Sequence, residues 1–84
     1  MSQRKSRAEA FIKINGDALR EVRLDRGLST VQVAARVGVG KAYISKLERG
    51  ISPRCSAQVH AALVRVLQPA DRRAFRADGQ KVAA

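Results

Sequence analysis

Apolar residues recur along this chain at helical spacing in successive blocks, each closed by a glycine, a proline or a capping residue. Leu19 and Val22, with Leu28 beyond them, predict a first helix over about residues 17–26. Asp17 puts a negative charge at its positive end, and Gly27 stands where a left-handed C-cap is wanted. Arg20 and Arg26 then face solvent or phosphate. The second block opens at Ser29, an N-cap that forms a capping box with Gln32 three residues on. Val33, Ala34 and Val37 make its buried stripe, and Gly38 ends it at a turn that needs positive φ. A third helix runs from Gly40 or Lys41 to Glu48 or Arg49, burying Ile44 and Leu47, with Val39 plugging the turn and Gly50 as the stop. After a loop over 51–55, Ser56 caps a fourth helix reaching about Leu67, with Val59, Leu63 and Val66 as its inner row. A short fifth helix is expected from Pro69, at its first position, through about Arg76, anchored by Phe75.

The two ends carry weaker signals. Arg4, Lys5 and Arg7 make a basic arm with no apolar anchor after Met1. Ser6 and Glu9 have capping-box spacing and predict a short helix to about Lys13, broken at Asn15-Gly16. An extended segment over 10–14, packing Phe11 and Ile14 on the core, reads equally well. Residues 78–84 have little to bury and are expected to fray. The organisation expected is therefore a flexible basic arm or short extra helix over 1–13, an all-α five-helix domain over 14–77, and a disordered tail over 78–84.

Charge narrows the partners. The 84 residues hold 17 Lys and Arg against 7 acids, a formal net charge of +10. That imbalance points to polyanions, and to nucleic acid before membrane, because no helix pairs a broad apolar face with flanking lysines. The aromatics are Phe11, Tyr43 and Phe75, not interleaved with basic residues, which favours duplex DNA over single strands read by stacking. A lone Cys55 excludes an internal disulfide, and no apolar run suits a membrane span or signal peptide, so a cytoplasmic, nucleoid-associated protein is expected. Catalysis is not expected. One His and one Cys make neither a structural zinc site nor a nucleophile pair, and there is no glycine-rich phosphate loop, so no catalytic residue, metal or cofactor is assigned. His60 reads as surface or packing, and Arg65, Arg72, Arg73 and Arg76 as a solvated face rather than a second DNA site.

Between Gly27 and Gly50 the second and third helical blocks, joined through Gly38, form a helix-turn-helix pattern. Two such helices cross at roughly 90–120°, which requires a tight turn and small residues at the crossing; Ala34 and Gly38 supply them. The free N–H groups at the start of the second helix suit a phosphate, beside the Ser29 and Thr30 hydroxyls. The third helix leaves Lys41, Ala42, Ser45 and Lys46 outward. Lysine can bond guanine O6 and N7, and an alanine methyl can meet a thymine methyl.

The same stretch resembles the Cro/CI repressor-like (XRE-type) helix-turn-helix family, whose lambda-repressor-like fold the expected domain would share. The resemblance is carried by Leu19-Arg20-Glu21-Val22-Arg23, Gly27-Leu28-Ser29, Ala34 with Gly38, Gly38-Val39, Ile44-Ser45 and Glu48-Arg49-Gly50, over about residues 14–67. It implies that Gly40, Lys41, Ala42 and Lys46 face bases, with Tyr43 and Ser45 at their edge. It implies that Ser29, Thr30, Arg49, Ser52 and Arg54 face phosphates, and that Arg23 and Glu48 form a partly buried ion pair. Many members carry a polar residue where this chain has Gly40 and Ala42, so specificity shifts toward Lys41, Tyr43, Lys46 and the arm. Phosphate contact alone is the rival role for Lys41 and Lys46, packing across the second helix for Tyr43, and a solvated tail rather than a minor-groove arm for Arg4, Lys5 and Arg7.

Together these readings predict a sequence-specific duplex DNA-binding regulator of bacterial or phage origin, a repressor or Cro-like protein. A homodimer is expected through the fifth helix, with Phe75 and Val82, or through the Phe11–Ile14 segment. Two other readings stay open: an antitoxin-type module that binds a protein partner, and a DNA-bending recombination accessory factor.

Overall fold

The computed structural model describes residues 11–77. The elements run β1 (Phe11–Lys13), α1 (Gly16–Asp25), α2 (Thr30–Val37), α3 (Lys41–Glu48), β2 (Arg54–Ser56) and α4 (Ala57–Leu67). Each helix starts where a side chain or a permissive backbone frees it to start. The Asn15 Oδ1 accepts the Ala18 N–H at 3.1 Å and caps α1. At α2 the full capping box forms: the Ser29 Oγ accepts the Gln32 N–H at 3.1 Å, and the Gln32 Oε1 accepts the Ser29 N–H at 2.9 Å. The Ser56 Oγ accepts the Val59 N–H at 3.1 Å and caps α4. Gly40 caps α3 with no side-chain bond at all. The chain turns sharply at Gly38, in the left-handed region at φ 93°.

Ile14, Leu19, Val33, Ala34, Ile44, Leu47, Cys55, Leu63, Leu67 and Phe75 form the core. α2 packs on both α3 and α4, and α1 packs on α3. On α4 the buried row is His60, Leu63 and Leu67, with Ala62 beside it; Val59 and Val66 are only partly covered. His60 serves packing, its ring edge-on to Phe75 at 5.5 Å.

The structure departs from the expected five helices, having four among the described residues. The segment expected as a fifth helix forms turns, with Ala74 N–H to the Asp71 carbonyl at 2.8 Å and Arg76 N–H to the Arg73 carbonyl at 3.0 Å. Its end is drawn into extended pairing: Asn15 N–H donates to the Phe75 carbonyl at 2.9 Å, and Ile14 bridges to Arg76. An isolated turn of helix nucleates poorly, so this tertiary pairing decides its conformation. Phe75 is fully buried, which removes it as a dimer contact. Val82 and residues 78–84 lie outside the described residues, as does the arm of Arg4, Lys5 and Arg7.

The helical domain also carries a short two-stranded antiparallel ribbon. β1 pairs with β2 in the register Phe11 to Ser56, Ile12 to Cys55 and Lys13 to Arg54. The extended alternative for residues 10–14 is thus the form adopted at Phe11–Lys13, but not with Phe11 and Ile14 on one face. Strand side chains alternate, so Ile12 and Ile14 turn inward while Phe11 stays 54 % exposed.

Candidate nucleic-acid interface

The turn between α2 and α3 is Gly38-Val39-Gly40. Gly38 N–H and Val39 N–H both donate to the Ala34 carbonyl, at 2.8 and 3.0 Å, closing α2 tightly. α3 then buries Ile44, Leu47 and Glu48 and presents the rest of its surface. Lys41, Ala42, Tyr43, Lys46 and Arg49 are exposed and Ser45 half-buried. Gly40 sits at the helix start with open space around it. Ser29 is exposed and Thr30 half-buried at the α2 N-terminus, where the Ser29 hydroxyl is engaged in the capping box. Ser52, half-buried, is tied back to α3 by its N–H bond to the Lys46 carbonyl at 3.1 Å, and Arg54 is exposed on β2.

α1 sets the orientation of α3 through Glu48. The Arg23 Nε donates to one Glu48 carboxylate oxygen at 2.6 Å and the Nη2 to the other at 3.0 Å. The Nη1 of Arg23 also reaches the Leu28 carbonyl at 2.8 Å, tying the α1–α2 loop into the same bond network. Both partners are buried. The bond to Glu48 holds the Arg23 guanidinium above its ordinary pKa, against burial, which acts to lower it. The backbone of Glu48 is gripped as well: a Cβ on Gly16 would fall 2.4 Å from the Glu48 carbonyl oxygen and 2.5 Å from that of Leu47. The positive end of α1 thus rests on the negative end of α3, an approach that only glycine permits.

Three residues have roles the sequence reading did not give them. Tyr43 is 37 % exposed. Its phenol is raised in pKa chiefly by burial, then by Cys55, with a backbone bond from Ser56 pulling the other way. Arg26, exposed at the C-cap of α1, also caps the end of α4 by donating to the Leu67 carbonyl at 2.7 Å and to the Gln68 carbonyl. Lys13 joins the exposed surface through β1. The alternation Phe11-Ile12-Lys13-Ile14 was the signal for that strand, whereas the long-range target of Arg26 leaves no mark in local sequence.

A helix pair closed at a tight glycine turn, with its second helix exposing short and basic side chains, defines a helix-turn-helix protein. The helix-turn-helix domain family model matches residues 16–76, and the chain belongs to that family, in its Cro/CI-like, XRE-type branch. Among solved structures it is similar to the chain in the SinR protein/SinI protein complex, at 27 % identity and TM-score 0.64, over 70 % of this chain and 56 % of that one. It is also similar to SinR, master regulator for biofilm formation, in complex with DNA: 30 % identity and TM-score 0.60, over 63 % of this chain and 84 % of that one. The chain therefore spans little more than half the length of the first of these. No curated protein matches it. Among the described residues no helix is long and apolar enough to cross a membrane.

Proposed function

We propose that this protein is a sequence-specific transcription regulator that binds duplex DNA with α3 in the major groove. The observation that carries this reading is the α3 surface. Lys41, Ala42 and Lys46 project from a helix whose opposite face is locked to the core and whose axis is fixed by Arg23–Glu48. In this reading Gly40, Lys41, Ala42 and Lys46 face base edges, with Tyr43 and Ser45 at the margin. Ser29, Thr30, Arg49, Ser52 and Arg54 seat the unit on phosphates. Two copies on a two-fold site about 34–36 Å apart are the natural arrangement, and repression by occupancy is the regulatory mode. The protein works in the cytoplasm, on the nucleoid, by binding rather than catalysis. The similarity to a SinR chain bound to DNA supports the reading.

Arg49→Ala should weaken operator and scrambled duplex alike and lower the salt slope by about one. Lys41→Ala/Lys46→Ala should instead abolish the preference for the operator; retention of that preference would sink the reader assignment. A second reading, a module that binds a protein partner, is favoured by the similarity to a SinR chain in complex with SinI. Co-purification of a stoichiometric small protein, with no duplex retained, would select it.

A further inference from the structure

The β1–β2 ribbon carries a charge arrangement that the fold itself does not need. Its inner face is apolar, with Ile12 opposite the buried Cys55. Its outer face sets Lys13 directly opposite Arg54. Paired residues on one face of an antiparallel ribbon lie close together, so two cations there repel each other. Among the described residues neither is within ion-pair distance of a carboxylate, whereas Arg23 pairs with Glu48. Phe11, opposite Ser56, shares that face, half-exposed, with the Arg54 guanidinium 5.3 Å from its ring centre. Stacking on a ring fixes the plane of a guanidinium while leaving its N–H donors free for an anion. The ribbon is tied to α3 through the short loop that leads into β2, where the Ser52 N–H bonds the Lys46 carbonyl at 3.1 Å.

We propose that this outer face is a second contact with the duplex backbone, in which Lys13 and Arg54 together hold phosphates and Phe11 positions Arg54. The inference rests on the duplex-binding reading above and adds Lys13 and Phe11, which the helix-turn-helix does not contain. Close repulsion between the two cations in the free protein is relieved when phosphate lies between them. Binding therefore gains what folding loses.

The test is affinity for a mixed-sequence duplex about two helical turns long, measured against salt concentration. Lys13→Gln and Arg54→Gln should each lower the slope of log affinity against log salt by about one. Phe11→Leu, which keeps an apolar residue but removes the ring, should weaken binding about two- to fivefold. The urea midpoint of Lys13→Gln should equal or exceed that of the wild type, since a repulsion is removed. Wild-type slopes in Lys13→Gln and Arg54→Gln, alongside a lowered slope in Lys41→Ala/Lys46→Ala, would overturn the ribbon contact and leave the α3 reading standing. A wild-type protein whose duplex affinity ignores salt would overturn both. A fall in the urea midpoint of Lys13→Gln would make Lys13 a structural residue and overturn its assignment.

Discussion

Glu48 is where three separate demands on this chain meet. Its carboxylate takes two bonds from Arg23, its carbonyl leaves room only for the bare Cα of Gly16, and its helix carries the candidate readers. Glu48→Ala would strand the Arg23 charge in a buried site, at an expected cost of about 3–5 kcal/mol in urea denaturation. Replacing both partners with apolar residues should cost far less than the sum of the single losses, which a double-mutant cycle would report. Gly16→Ala should cost about 1–3 kcal/mol, since the clash is with backbone that cannot rotate away. Cys55 responds to pH in a defined window. Burial pushes its thiol from 9.0 up to about 11. Below about pH 9 both folded and unfolded chains hold the proton, so stability is unaffected. Between about 9 and 11 the unfolded chain ionises first, and stability should fall by about 2–3 kcal/mol in total. Comparison with Cys55→Ala isolates the effect, because that variant lacks this part of the decline.

The helices differ in how they begin, and this sets what each tolerates. α2 has a reciprocal capping box, so Ser29→Ala should cost about 1 kcal/mol in thermal or urea unfolding. α3 has only Gly40, in extended backbone with open space around it. Gly40→Ser should therefore stabilise the fold by a few tenths of a kcal/mol; destabilisation would contradict the geometry described. Such local chemistry was legible in the sequence. The α2 capping box, the Gly38 turn, the α3 limits and the Ser56 cap follow from side chains within a few residues of each helix end. Elements made by distant partners were not. Residues 69–76 carry a helical start at Pro69, yet Ile14 and Asn15, more than fifty residues earlier, draw their end into extended pairing. The ribbon was half-visible, as an alternation at 11–14 whose partner strand sits in what reads locally as a loop.

Viewed whole, the molecule separates its stable parts from its charged ones. The core is apolar apart from Arg23, Glu48 and His60, each of which is held by a bond or a ring. The exposed cations lie outside, on every helix, the turns at 72–73 and the ribbon, with Lys41, Lys46 and Arg49 on or beside α3. The position of α3 was readable from its apolar residues, since burying Ile44 and Leu47 leaves Lys41, Ala42 and Lys46 outward. The ribbon's contribution was not, because Lys13 reaches the surface beside Arg54 only through strand register. Salt dependence alone would fit any basic surface, so base reading by α3 needs a test of sequence choice. Selection of bound duplexes from a random pool, run in parallel with wild type and Lys41→Ala/Lys46→Ala, supplies it. The account predicts a two-fold symmetric consensus for the wild type that the double variant loses or changes. No enrichment by the wild type, or one consensus shared by both proteins, would contradict it.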